Sequence, residues 1–163
     1  MKKLFSLLIV LVISLSFSAC KKEQKEVKVE NIEVKLELNE EKSTGNRICF
    51  NTNLPEKMLF SVEVYKGDEY HSIEDAQVQL DPQMNYIVTE AQLDANEKPY
   101  PDGNYIVNIT SLPMKEQPQT VKDRIGENGE RMKGMFVLDG EDDTKIISLK
   151  QTVTKKGDKF SAE

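Results

Sequence analysis

Apolar and polar residues alternate along most of the chain beyond residue 30. The clearest alternation occurs in two runs whose apolar members share one parity: Phe60, Val62 and Val64, and Tyr105, Val107 and Ile109. A period of two is typical of a β-strand that buries one face, because successive side chains point to opposite sides of the sheet. The two runs therefore predict half-buried strands whose apolar side chains belong to the core.

The same alternation recurs at intervals of roughly ten residues and predicts about eight short strands. These are Ile32–Leu38, Ile48–Phe50, Phe60–Val64, Val78–Leu80, Tyr86–Leu93, Tyr105–Ile109, Met135–Leu138 and Lys145–Val153. Turn signals such as Lys66-Gly67-Asp68 and Asp81-Pro82 separate them. Short strands with turns between them favour an all-β antiparallel sandwich over alternating strands and helices.

One segment, Gln117 to Gly134, lacks the period of two. Val121 and Ile125 lie four residues apart, as on one face of a helical turn, Pro118 suits the first turn, and Gly126 is available to end it. The segment therefore predicts a short helix or structured loop near residues 118–129, packed across one end of the sandwich. A functional loop is the alternative, because binding residues are often carried on loops.

This segment also contains two of the three arginines in the chain, Arg124 and Arg131; the third is Arg47. On an otherwise acidic protein they form the best candidate for a local positive binding feature. The alternative is that both are ordinary solvated arginines.

The first nineteen residues have the organisation of a secretory signal. Lys2 and Lys3 precede an unbroken apolar stretch, Leu7–Ile13, and small residues follow it. The apolar segment is shorter than the roughly 20 residues that a spanning helix needs.

The residues that end this segment, Phe17-Ser18-Ala19-Cys20, resemble the lipobox of bacterial lipoproteins. The resemblance implies that residues 1–19 are removed, that the thiol of Cys20 carries acyl chains such as palmitate, and that Cys20 is the first mature residue. Phe17 departs from the leucine that is usual there. A plain signal peptide and an uncleaved anchor are the alternatives. The implied location is the cell envelope, with the protein lipid-anchored on the extracytoplasmic side of a bacterial membrane.

Removal of residues 1–19 changes the net charge from −6 to −8, because that segment carries two lysines and no acid. Residues 20–30 mix Lys and Glu and are interpreted as a solvated tether. The parity of the apolar residues changes between Val29 and Ile32, so a single domain is expected at 31–163. The acidic surface argues against nucleic acid as a partner, which requires clustered cations.

With Cys20 acylated, Cys49 has no partner for a disulfide, and a buried, unreactive thiol is expected. His71 is the one histidine and lies in a polar stretch, "DEYHSIED", interpreted as a loop. It has no nearby second histidine or cysteine, which disfavours a zinc site.

The acidic run "LDGEDDTK", Leu138–Lys145, lacks the glycine and glutamate of a calcium loop, so a polar hairpin turn is favoured over calcium binding. No motif indicates a cofactor.

The segment "PYPDGNYIVNI" combines a turn at Pro101-Asp102-Gly103 with Tyr105 at the start of a strand. It resembles the tyrosine corner of immunoglobulin-like sandwiches, in which the hydroxyl binds nearby backbone. Together with "NLP" at Asn53–Pro55 and the glycines of 117–134, it is similar to uncharacterised bacterial extracytoplasmic sandwich domains over most of Arg47–Gly134. The resemblance implies an immunoglobulin-like sandwich of about 7–8 strands, and it implies no activity.

Two functions remain open from the sequence. The favoured one is a non-catalytic, membrane-anchored module that binds another protein of the envelope. The alternative is an envelope hydrolase or small-ligand receptor with a site near His71, formed with neighbouring acids: Asp68, Glu69, Glu74 and Asp75.

Overall fold

A computed structural model describes the backbone of residues 30–67, 69–80, 82, 85–90 and 101–163, and their side chains except those of 69–74 and 88–90. The expected signal peptide, Cys20 and the tether as far as residue 29 lie outside the described residues.

Strands make up most of the described chain, which confirms the all-β prediction. The strands are β1 (Ile32–Glu33), β2 (Leu36–Leu38), β3 (Arg47–Thr52), β4 (Leu59–Lys66), β5 (Glu69–Gln79), β6 (Asn85–Glu90), β7 (Gly103–Ser111), β8 (Met132–Lys133), β9 (Val137–Asp139), β10 (Lys145–Lys156) and β11 (Lys159–Ala162). A 3-10 helix at Met114–Glu116 and an α-helix, α1 (Gln119–Ile125), lie between β7 and β8.

Eight of these strands form one curled antiparallel sheet in the order β11-β10-β7-β4-β5-β6-β3-β2, and β9 adds to β10. The curl is centred on β5, which is 11 residues long. Its residues 69–70 and 72–77 pair with β4, with an irregularity at His71, whereas Val78 and Gln79 pair with β6. Because β5 belongs to both halves, a single hydrogen-bonded path connects strands that would otherwise form two layers.

The core lies on the concave side of this sheet and contains all the side chains predicted from the two alternating runs. Phe60, Val62, Val64, Tyr105, Val107 and Ile109 are each at most 1% exposed. Val62 lies opposite Ile109, and Val64 lies opposite Val107, in the β4–β7 ladder. Each such side chain stabilises the fold by about 1.5–3 kcal/mol through the apolar area that it removes from water.

The prediction of one antiparallel strand at Ile32–Leu38 is wrong. The segment is divided into β1, which pairs in parallel with β8, and β2, which pairs with β3. The strand is interrupted because successive backbone N–H groups donate to acceptors in different parts of the chain. The Val34 N–H donates to the Lys133 carbonyl at 2.9 Å, whereas the Lys35 N–H donates to Asn53 Oδ1, also at 2.9 Å.

The strand predicted from Met135 begins instead at Val137. Gly134 has φ of +112°, and the Val137 N–H returns to the Gly134 carbonyl, so Met135 lies in a turn with 83% of its surface exposed. Alternation cannot distinguish such an exposed apolar residue from a buried one.

Two further segments form strands that the sequence did not predict. The backbone of His71 belongs to β5 and not to a loop, because residues 69–70 and 72–75 on either side of it pair with β4 despite their polar composition. The strand β11 was not predicted. It forms because Gly157, with φ of +58°, reverses the chain after β10.

The short helix predicted near residues 118–129 is confirmed as α1. Val121 and Ile125 are fully buried, and the Pro118 carbonyl accepts the first helical hydrogen bonds. Gly126 ends the helix with φ of +97°, a conformation that residues with a Cβ rarely adopt. The helix therefore covers one end of the curled sheet with its apolar face.

Candidate functional site

Arg124, one of the two predicted binding residues, lines a surface cleft of about 490 Å³. The cleft lies between α1, β1, the turn at residues 53–57 and the end of β5. Arg124 is exposed, and the helix places its side chain at the cleft while Val121 and Ile125 face the core.

The wall opposite the helix is the turn at 53–57, which is fixed by side-chain amides. Asn53 Nδ2 donates to the Glu33 carbonyl at 2.7 Å, and its Oδ1 accepts the Lys35 N–H, so this amide joins the turn to the first two strands. Asn85 Nδ2 donates to the Leu54 carbonyl at 2.8 Å. The cleft therefore has a wall held by hydrogen bonds at both ends.

The cleft combines apolar and cationic groups. Ile32, Leu54 and Pro55 supply apolar surface, and Leu80 is 66% exposed at the rim. Among its described lining residues, two cations, Arg124 and Lys57, accompany one acid, Glu56. A guanidinium beside apolar surface binds carboxylates and flat side chains well, which is why arginine is enriched at protein interfaces.

Arg131, the second predicted binding residue, has a different position. Its Nη1 donates to the Asp123 carbonyl at 2.9 Å and to the Arg124 carbonyl at 3.4 Å. These are among the last carbonyls of α1, where a positive charge also interacts favourably with the helix dipole. Arg131 therefore caps the helix that carries Arg124, and the structure does not bring the two guanidinium groups into one cationic site.

Gln117 is a residue of this region that the alternation pattern did not indicate. It is 4% exposed, and its amide makes three hydrogen bonds: Oε1 accepts the Leu59 N–H, and Nε2 donates to the Leu59 and Leu112 carbonyls at 2.9 and 3.0 Å. Gln117 thus attaches the start of the helical segment to the first residue of β4. The sequence did not indicate that Gln117 is buried, because it is polar and lies outside the alternating runs.

Tyr105 makes the contact expected of a tyrosine corner. Its ring is fully buried, and its hydroxyl donates to the Pro101 carbonyl at 2.5 Å. The hydrogen bond holds the turn before β7 against the sheet.

The acidic run at 139–143 forms the hairpin between β9 and β10. Asp142 and Asp143 have φ of +52° and +57°, the left-handed values that a tight hairpin turn requires. A hydrogen bond from Lys145 Nζ, and then the charge of that ammonium group, lower the pKa of Asp139. Among the described residues, no group of three or more His, Cys, Asp or Glu side chains is arranged to hold a metal ion.

The remaining candidate residues do not form a described site. The side chain of His71 lies outside the described residues, as do those of Glu69 and Glu74, whereas Asp75 is exposed. Cys49 is 1% exposed, as expected for a buried cysteine. Its N–H donates to Ser43 Oγ at 2.9 Å.

Comparison with known proteins assigns no relationship to the chain. It matches no protein-family model, no curated protein and no solved structure at a significant level. Within the part of the chain that the structure describes, no helix is both long enough and apolar enough to cross a membrane.

Proposed function

We propose that this protein is a bacterial lipoprotein, anchored to the membrane through acylated Cys20, whose domain binds another protein of the cell envelope without catalysis. The N-terminal sequence supports the anchor, because an apolar segment with a basic start leads through small residues to Cys20 and then to charge. Several acyl chains would hold the domain at the bilayer, since each buried methylene contributes about 0.8 kcal/mol.

The Arg124 cleft is the observation that carries the binding proposal. It places an exposed arginine beside Leu80, a large apolar side chain with 66% exposure, above an apolar floor. Arginine is enriched among the hot spots of protein interfaces. The surface therefore suits a partner that presents a carboxylate next to an apolar side chain.

The immunoglobulin-like assignment of the domain is also part of the proposal. It is supported by the hydrogen bond of the Tyr105 hydroxyl to the Pro101 carbonyl, four residues upstream. That contact is typical of the tyrosine corner in immunoglobulin-like sandwiches.

Site-specific photocrosslinking in intact cells tests the binding proposal. A photoreactive amino acid at position 80 of the anchored protein is expected to capture one envelope protein. The same amino acid at position 138, where Leu138 is 49% exposed away from the cleft, serves as the control.

Arg124→Glu should abolish the adduct at position 80, because it reverses the charge that faces the partner. Lys122→Glu makes the same charge change on the same helix outside the cleft lining and should leave the adduct intact. Identical adducts at positions 80 and 138, or an adduct insensitive to Arg124→Glu, would contradict the proposal.

A further inference from the structure

The two ends of the curled sheet meet at β11. One edge of β11 pairs with β10. Its other edge contacts the loop after β2: the Phe160 N–H donates to the Ser43 carbonyl at 3.4 Å, and the Ala162 N–H donates to Glu40 Oε1 at 3.0 Å. One strand, β11, therefore fills the space between β10 and the loop at residues 40–45.

A cleft of about 510 Å³ lies at the end of β11. Residues 36–41 line one side of it, and Gln151 and Ala162 line the other. Glu40 and Ala162, which join the loop to β11, also line the cleft, so the cleft continues the position that β11 occupies beside β10.

The wall formed by β2 presents unpaired backbone groups. The Asn39 N–H donates to the Cys49 carbonyl at 2.7 Å, in register with the β2–β3 ladder. In an antiparallel ladder, the N–H and C=O groups of alternate residues bond to the partner strand, and those of the residues between them point away from it. The N–H and C=O groups of Leu36 and Leu38 therefore point away from β3, and they have no hydrogen-bond partner among the described residues.

The opposite wall, formed by β10, also has unpaired backbone groups. On the outer edge of β10, the Ser148 N–H donates to the Phe136 carbonyl, and the Thr152 carbonyl accepts the Glu163 N–H. Lys150 lies midway between these residues and has the same parity, so its backbone groups point outward from β10 as well. They have no partner in the described part of the chain. Unpaired edges of this kind accept an added strand.

The charge of the cleft indicates what kind of strand would bind. Glu37, Glu40 and Glu41 line it, and no lysine or arginine side chain is among its described lining residues. All three glutamates are exposed. Their field attracts a positively charged segment and repels an acidic one.

We propose that this cleft binds a short, extended segment of a partner protein that is rich in lysine or arginine, and that the segment adds as a β-strand between β2 and β10. The backbone groups of Leu36, Leu38 and Lys150 hold the strand, and the three glutamates select its charge. The inference is independent of the Arg124 cleft, since the two clefts share no described lining residue.

Peptide binding to the full-length protein in detergent tests this inference. The probe is a fluorescent heptapeptide of alternating lysine and valine, followed by anisotropy at low salt. Saturable binding is expected. The same peptide N-methylated at alternate residues keeps its charge but loses the donors of one edge, so it should bind at least tenfold more weakly. A glutamate–valine peptide should bind more weakly by at least the same factor.

A charge-reversed variant, Glu37→Lys with Glu41→Lys, should reduce the affinity for the lysine peptide at least tenfold. The control, Glu116→Lys with Glu127→Lys, makes the same net charge change outside the cleft lining and should retain the affinity within about twofold. Equal binding of the N-methylated peptide would reduce the effect to charge alone and overturn the proposal. Absence of saturable binding, or occupation of the cleft by a second copy that the peptide does not displace, would also overturn it.

Discussion

Buried polar side chains fix the loops of this protein to its sheet. Ser43 is fully buried; its Oγ accepts the Cys49 N–H and donates to the Asn39 carbonyl at 2.6 Å. Tyr105 and Gln117 make comparable contacts at the Pro101 turn and at the start of the helical segment. Each residue satisfies backbone groups that a loop leaves unpaired, which is what buried polar groups require.

Tyr105→Phe removes only a hydroxyl and should lower the free energy of unfolding by about 1 kcal/mol. The reason is the loss of the hydrogen bond to Pro101 while the buried ring is kept. Urea denaturation measures the change. Tyr86→Phe is the matched control, because no hydrogen bond of the Tyr86 hydroxyl is present among the described residues, and it should change stability by less than about 0.5 kcal/mol. Equal effects of the two substitutions would remove the tyrosine-corner argument.

Asp139 should titrate below the ordinary aspartate pKa of about 3.9, because it accepts a hydrogen bond from Lys145 and lies beside its charge. A folded-state pKa below the unfolded value means that the pair stabilises the fold above about pH 4 and loses this effect as the pH falls through the folded pKa. An NMR titration of the carboxyl group measures the midpoint. Lys145→Gln should move it upward, and equal midpoints in the two proteins would contradict the assignment.

Among the elements, the sequence predicted best those strands that bury one face along their whole length. The strands β4 and β7 alternate without interruption, and α1 has both a clear apolar spacing and a glycine stop. The elements that were missed depend on partners distant in the chain. The division of β1 from β2 follows from Lys133 and Asn53, and the polar residues on either side of His71 form a strand only because they pair with β4.

The helical segment should depend strongly on Gln117. Gln117→Ala leaves the Leu59 N–H and the Leu112 carbonyl without their side-chain partner, whereas the Leu59 carbonyl still accepts the Leu112 N–H. Each buried unsatisfied group costs about 1–3 kcal/mol. We expect a loss of roughly 2–4 kcal/mol in the free energy of unfolding, measured by urea denaturation.

Gln119→Ala is the control for Gln117→Ala, since Gln119 is exposed and its side-chain amide bonds to the surface acids Asp123 and Glu127. It should change stability by less than about 0.5 kcal/mol. Similar losses for the two variants would show that Gln117 does not attach the segment to β4.

At the scale of the whole molecule, the two clefts differ in the charge of their lining residues. The cleft at Arg124 is cationic over an apolar floor, whereas the cleft at the end of β11 is lined by glutamates. The scarcity of arginine in the sequence singled out Arg124, whose role in binding stays a prediction. It could not show that Arg131 caps a helix, nor that residues as distant as Ile32, Leu80 and Arg124 share one cleft, because both depend on tertiary contacts.

A non-catalytic protein should not depend on its one histidine. His71→Ala is expected to leave the photocrosslinked adduct at position 80 and the cellular phenotype unchanged. The comparison requires equal amounts of folded, anchored protein, measured by immunoblotting of membranes. A phenotype equal to that of a deletion, with His71→Ala still folded and anchored, would favour the alternative of an enzyme or a small-ligand receptor.

Membrane anchoring through Cys20 is the central claim, since it places the domain and limits its partners to the envelope. Mass spectrometry of the N-terminal peptide from the membrane fraction tests it most directly. The account predicts a peptide that begins at Cys20 and carries acyl chains, and it predicts that Cys20→Ala prevents this processing. An unmodified Cys20, or a mature protein that begins at another residue, would contradict it.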